Sequence, residues 1–289
     1  GITATLDHNR RKDLKNFEVR EIPYDPQPRY ALHDKPHTDQ EILKDFQQNK
    51  KVLVVCNTVA SARDRARRLK KLIPDTVCWH SRFKLDDRLK IEHDTLQKFQ
   101  QPGPQVVVTT QVCERSLDIS ADVLVTEIAP ISSLIQRIGR CNRFGECSRF
   151  GPKQMGDVYF VKPKNKNPYT KHDHAAAKKW IASLPQQPLS RHDLNHAMLQ
   201  HATSTTTAHN CPFTDQGGYA YTQAYRQDGY TVTAVLEKDI PTFLKLTQNH
   251  QPTDGLTLPI LYNNDKPPPK DPRLPHYYYV AQNHYDNFA

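Results

Sequence analysis

The 289 residues contain no run of 18 apolar residues and no secretory leader pattern, so neither membrane insertion nor secretion is indicated. The six cysteines, Cys56, Cys78, Cys113, Cys141, Cys147 and Cys211, form no Cys-x-x-Cys pair. That removes the commonest zinc and dithiol motifs. Several of them lie inside apolar, strand-like runs where a reduced thiol behaves as a small hydrophobe, and a reducing, cytoplasmic setting is expected. No internal repeat is visible. Nowhere does the sequence carry a Gly-x-x-x-x-Gly-Lys-Ser/Thr loop or an Asp-Glu-x-His. The lysine and hydroxyl that cradle nucleotide phosphates, and the carboxylate that holds magnesium, are therefore missing, and this chain alone is expected not to hydrolyse ATP.

What is present is a globular composition. Hydrophobic residues make up 37%, enough to bury a core in one large or two modest domains. The formal charge of +9 and the pI near 9.2 favour a polyanionic partner, because each phosphate neutralised releases a counterion. Strand-like runs at 17–22, 52–57, 76–80, 105–110, 123–128 and 157–161 alternate with helical patterns at 39–49, 61–72, 85–100 and 132–143. This alternation predicts an α/β fold with a parallel sheet and flanking helices. Ser61 and Ser132 are candidate caps. Arg63, Arg65, Arg67, Arg68, Lys70 and Lys71 on the second helix read as a solvated face with some attraction for nucleic acid.

After Val161 the lysine-, asparagine- and proline-bounded stretch 162–168 breaks the alternation. Helices are expected at 171–183 and 191–201, a polar low-complexity loop at 201–218, and strands at 229–236 and 277–282. The tyrosines of the tail could stack bases, although aromatic residues in strands more often fill a core.

The most informative stretch is Gln136-Arg137-Ile138-Gly139-Arg140-Cys141-Asn142-Arg143. On a helix, Gln136, Arg140 and Arg143 would share one face and form a guanidinium clamp, suited to phosphate oxygens because the planar fork stays charged. Gly139 would let a partner backbone come close beside it. A solvated basic helix end is the plainer alternative. Upstream, the buried run 106–109 leads directly into a polar loop. Thr110 and Ser116 there offer hydroxyls for phosphates, and Asp118 offers an acceptor for a ribose or an arginine. Asn57-Thr58 and His80-Ser81-Arg82-Phe83 repeat the pattern of a strand ending in polar residues. In parallel sheets such carboxyl ends gather the site.

These residues resemble superfamily 2 helicases, and within them the signature helicase of type I CRISPR systems. The resemblance covers roughly residues 1–163. Asn57-Thr58-Val59 is similar to motif IV, and His80-Ser81-Arg82-Phe83 followed by Asp87-Arg88 is similar to the "HSRF…DR" signature. The segment from Thr110 to Asp118 is similar to "TQVxExSLD" of motif V. Ala129-Pro130 with the octet is similar to motif VI, and Thr3-Ala4-Thr5 to motif III. The resemblance implies a RecA-like second helicase domain over 15–163, preceded by the end of a first domain or a linker at 1–14. It leaves a linker with helices at 164–218 and a small C-terminal domain at 219–289. The simplest account is the C-terminal piece of a longer polypeptide.

By this resemblance the whole protein would be an ATP-dependent single-stranded DNA translocase acting in CRISPR antiviral interference. ATP and Mg2+ would be held mainly by the absent first domain. Arg140 and Arg143 would serve as arginine fingers, Gln136 would orient one of them or the attacking water, and Asp118 and Gly139 would lie at the nucleotide. Thr58, Ser81, Arg82, Thr110, Gln111 and Ser116 would contact single-stranded DNA. The implied partners are single-stranded DNA, an RNA-guided surveillance complex, and an HD nuclease fused N-terminally or on another subunit. Movement would run 3′ to 5′.

Four His-Asp dipeptides, at 33–34, 93–94, 172–173 and 192–193, do not make this chain that nuclease, since such metal sites need further ligands gathered by a helical core. Two other classes stay open: a non-catalytic docking or nucleic-acid-binding module of helicase ancestry, and a superfamily 2 repair helicase.

Overall fold

The computed structural model describes residues 27–33, 35–114, 118–145, 147, 154–185, 188–201, 231–262 and 267–282. The expected strand at 17–22, the motif III triplet, Ser116, most of the low-complexity loop and Cys211 lie outside them.

Six parallel strands form the main sheet: β1 (Tyr30–His33), β2 (Lys51–Val55), β3 (Val77–Trp79), β4 (Gln105–Thr109), β5 (Val123–Glu127) and β6 (Gly156–Val161). Their order is β1-β6-β5-β2-β4-β3, with β2 between β5 and β4 at the centre. The fold is the expected α/β parallel sheet with flanking helices. These strands read as near-continuous apolar runs because helices cover both faces. Val52, Val54, Val106 and Val108 enter one core cluster, whereas Leu53, Val55, Val107 and Leu124 enter the other. Such alternation is the period-two geometry of a strand.

The helices are α1 (Asp39–Gln47), α2 (Val59–Lys70), α3 (Leu85–Gln100) and α4 (Ile131–Ile138). Two expected caps are corrected. The α2 cap is Thr58, whose Oγ1 accepts the Ser61 backbone N–H at 3.1 Å, so α2 begins before Ser61. Pro130 opens α4 without a side-chain cap. Its fixed φ suits a helix entry, and Ser132 is already inside the helix. The arginines of α2 are partly tied down, since Arg65 and Arg68 pair with Asp39 on α1 at 2.6 and 3.0 Å.

The largest correction concerns α4. It stops at Ile138, not at Arg143, so Gln136, Arg140 and Arg143 do not project from one helical face. Arg140 N–H donates to Arg137 O and Cys141 N–H to Ile138 O, tightening the last turn. The chain then turns outward to pair with residue 121: Ala121 N–H donates to Arg140 O, and Asn142 N–H to Ala121 O. Asn142 takes the left-handed conformation at φ 43°, which asparagine tolerates better than most residues. Gly156 makes room for this turn. A Cβ there would lie 2.6 Å from Cys141 Sγ and 2.8 Å from Asn142 Cβ.

The core continues past residue 163. Helices α5 (Lys171–Ser183) and α6 (Arg191–His201) add Ala177, Trp180, Leu194 and Ala197 to the cluster that contains Leu134 and Ile138 of α4. A backbone bridge from Leu189 to Tyr30 fastens the same segment to β1.

A second sheet, ordered β8-β7-β9, comprises β7 (Thr231–Leu236), β8 (Thr257–Leu261) and β9 (Tyr279–Ala281), with α7 (Ile240–Gln248) packed against it. Tyr278 packs edge-on against Phe243, as core aromatics do, while Tyr277 is exposed. This sheet meets the start of α3. Lys84 donates to Asp239 at 3.0 Å, and Gly255 lies so close to the Asp86 carboxylate that a Cβ would collide with it. Among the described residues no helix is long and apolar enough to cross a membrane.

Candidate functional site

The carboxyl ends of β2, β4 and β5 meet around one buried arginine, Arg137, which is 0% exposed. Its Nε donates to Glu114 Oε1 at 2.8 Å. Its Nη1 donates to Asn57 Oδ1 (3.0 Å), Thr126 Oγ1 (3.1 Å) and Glu127 O (3.1 Å), and its Nη2 to the Tyr169 hydroxyl (3.3 Å). Asn57 is held in turn, with its backbone N–H on Glu127 Oε2 and its amide on Ile128 O. Ser133 Oγ donates to the second oxygen of Glu114. A buried guanidinium is tolerated only when its donors are matched, and this network matches them. Burial raises the Glu127 carboxyl above the usual range, against the lowering effect of the Asn57 N–H.

Sequence reasoning passed over Arg137 although a signal was present. Leu134 and Ile138 mark the buried stripe of α4, and position 137 lies on that stripe. An arginine there had to find partners inside.

Arg140 follows immediately and is half-buried. Its Nε donates to Cys113 O and its Nη2 to Glu114 O, each at 3.1 Å. The guanidinium thus rests on the short 3-10 turn Gln111–Glu114 that ends the strand-to-loop segment. Burial lowers its pKa, and nearby Arg143 adds to this. Arg143 Nε lies 3.4 Å from Asp118 Oδ1, which realises the arginine-orienting option for Asp118. Its backbone N–H donates to Ser120 Oγ, and its guanidinium lies 5.4 Å from the ring of exposed Phe144. Gln136 stands on α4 one turn before Arg140. Gly139 caps the helix in right-handed conformation, and a Cβ there would meet the carbonyls of Gln136 and Ile135 at 3.3 and 3.4 Å. The structure brings Arg140, Arg143 and Asp118 together by sheet pairing instead of helical spacing.

The residues expected at DNA separate into two groups. Ser81 is exposed and Arg82 partly so, at the end of β3. Burial lowers the Arg82 pKa, with a further contribution from neighbouring Arg63. Two guanidiniums near each other make a place where an anion would relieve repulsion. The other group faces inward. The Thr58 hydroxyl caps α2 and donates to Ser61 Oγ, Thr110 is buried, and Gln111 Nε2 donates to Asn57 O (2.8 Å) and the Tyr169 hydroxyl (3.1 Å). The neighbouring His80 and Phe83 are buried and stacked on each other at 4.5 Å, so half of the "HSRF" segment builds core.

Residues 48–146, from the start of β2 to just past Arg143, match the family described as CRISPR-associated nuclease/helicase Cas3, C-terminal. Over that stretch the chain is similar to the C-terminal helicase part of Cas3. A putative Cas3 nuclease/helicase of Myxococcus xanthus is 36% identical over 168 residues, 58% of this chain and 22% of that relative. The chain thus spans about a fifth of that relative's length. The solved structure of T. fusca Cas3-ATP aligns with a TM-score of 0.62 at 17% identity, over 94% of this chain and 41% of that one. A structure described as a CRISPR RNA-guided surveillance complex, pre-nicking, aligns with a TM-score of 0.57 at 16% identity, over 94% and 43%. At these identities the two structures speak to the fold, and the fold agrees.

As for the implied ATP and Mg2+, the site fits one half of the requirement. It offers cationic arms for phosphate oxygens but no lysine loop and no paired carboxylates for a metal. Among the described residues no group of three or more histidine, cysteine, aspartate or glutamate side chains is placed to hold a metal. The five described cysteines are buried and unpaired with one another, and burial pushes the Cys113 thiol up to about 12, so it behaves as a small hydrophobe.

Proposed function

We propose that this chain is the second RecA-like half of an ATP-driven single-stranded DNA motor acting in CRISPR antiviral interference. The observation that carries the reading is the gathering of Arg140 and Arg143, the latter braced by Asp118, beside the amino-terminal edge of β5, where the chain leaving α4 pairs with Ala121. Two guanidiniums so gathered suit charge that develops on a phosphoryl group held by a facing domain, where arginine fingers contribute roughly 10³ to 10⁵ in rate. Gln136 orients one of them or the attacking water. Mg2+, held by the facing domain, neutralises phosphate charge.

Ser81 and Arg82, with Arg63 beside them, present the surface to the DNA backbone. Thr58, Thr110, Gln111 and Ser116 complete that edge once the strand is in place. Backbone contacts carry no sequence information, which suits a motor that travels any sequence. Closure of the two RecA-like halves steps the strand and hydrolysis reopens them. The protein works in the cytoplasm with an RNA-guided surveillance complex, moving 3′ to 5′, and its nuclease lies N-terminal to this segment or on another subunit.

ATP turnover of the longest natural polypeptide containing this chain, with and without single-stranded DNA, tests this beside the 289-residue chain alone. DNA-stimulated turnover by the long form and none by the chain is the expected outcome. Silence from the long form, or hydrolysis by the chain alone, would overturn it.

A further inference from the structure

Tyr169 belongs to none of the helicase-like segments and comes from the proline-bounded connector between β6 and α5, yet its hydroxyl ends in the middle of the site. It accepts Gln111 Nε2 at 3.1 Å and Arg137 Nη2 at 3.3 Å. Two donors occupy both lone pairs of a phenol oxygen. The ring cannot drift easily. The Tyr169 N–H donates to Lys166 O, His174 stands edge-on at 6.1 Å with its own Nε2 on the same carbonyl, and the Thr170–Asp173 capping box fixes the next residue.

The geometry points to Tyr169 as a positioning residue that couples DNA at the end of β4 to the segment after α4 that bears the arginine fingers. The inference rests on the motor reading above. Both N–H groups of the Gln111 amide are used, one by Asn57 O and one by Tyr169. Its remaining polar atom is a carbonyl oxygen, an acceptor that a phosphate cannot pair with. A phosphate arriving there has to take an N–H from one of these two acceptors, and the longer bond, to Tyr169, is the one that yields. That change reaches Arg137 through the shared phenol oxygen, and Arg137 lies one turn before Arg140.

The test is Tyr169→Phe in the longest natural polypeptide containing this chain, which removes one oxygen and keeps the ring. The ratio of DNA-stimulated to DNA-independent ATP turnover should fall about fivefold or more, with the half-stimulating DNA concentration shifting less than about threefold. Thermal melting separates this from a purely structural role, in which both rates and the melting temperature fall together and the ratio holds. A stimulated wild type with an unchanged ratio in Tyr169→Phe overturns the coupling alone. A wild type that DNA does not stimulate overturns the motor reading and the coupling with it.

Discussion

Arg140→Ala in the full-length polypeptide lowers DNA-stimulated ATP turnover by about 10³-fold or more, while affinity for single-stranded DNA changes by less than about threefold. The two effects separate because of where Arg140 sits. Its guanidinium rests on the carbonyls of Cys113 and Glu114, beside Arg143 and Asp118, whereas exposed Ser81 and partly exposed Arg82, proposed for DNA, follow β3, an edge strand of the sheet. Lysine would not restore the rate, because a point charge cannot keep two backbone acceptors and a phosphate oxygen in one plane as the guanidinium fork does. Folding should be almost untouched, since a half-buried side chain held by two carbonyls leaves no buried charge behind when it is removed. Steady-state kinetics and DNA-binding titrations check the prediction. Normal turnover would sink the arginine-finger assignment, and equal loss of DNA binding would reassign Arg140 to the DNA.

Arg137→Ala, three residues away, has the opposite profile. It removes the guanidinium that Glu114, Asn57, Thr126, Glu127 and Tyr169 all share, and leaves the largely buried Glu114 carboxylate without its ionic partner. Breaking a buried pair by removing one partner costs about 3–5 kcal/mol. In a domain of this size each kcal/mol shifts the melting temperature by roughly 2–4 °C, so a fall on the order of 10 °C is expected. Arg140→Ala should stay within about 2 °C of the wild type by the same measure. Circular dichroism melts of the two variants side by side decide it. An Arg137→Ala protein that melts with the wild type would mean that the network adds no stability.

These two neighbours also show what was legible in the sequence. The central strands were, because a strand covered on both faces must be apolar at every position, and Val52–Val55 and Val106–Val108 have no other plausible place. Helix α3 was read to its exact bounds from its periodicity. The buried fate of Arg137 was legible in principle from its place on the Leu134–Ile138 stripe. The clamp geometry was not. It depends on Cys141 pairing with Ala121 across twenty residues, on Asn142 turning left-handed, and on Gly156 leaving room, none of which a helical wheel contains.

Helix α7 and strand β8 were not among the expected elements, and both carry a proline. Pro241 stands in the first turn of α7, where its missing N–H costs nothing, and Pro259 lies in β8, an edge strand of its sheet. Tyr169 was hidden because nothing local distinguishes it; only the folded connector carries its hydroxyl to Gln111 and Arg137.

The central claim is that Arg140 serves the transition state of phosphoryl transfer and not the ground state. Trapping with ADP and aluminium fluoride, which together resemble that transition state, tests it most directly in the full-length polypeptide with DNA and magnesium present. The wild type should hold the complex while Arg140→Ala loses at least about 100-fold in affinity for it, with ADP binding nearly unchanged. Equal trapping by both proteins would contradict the account.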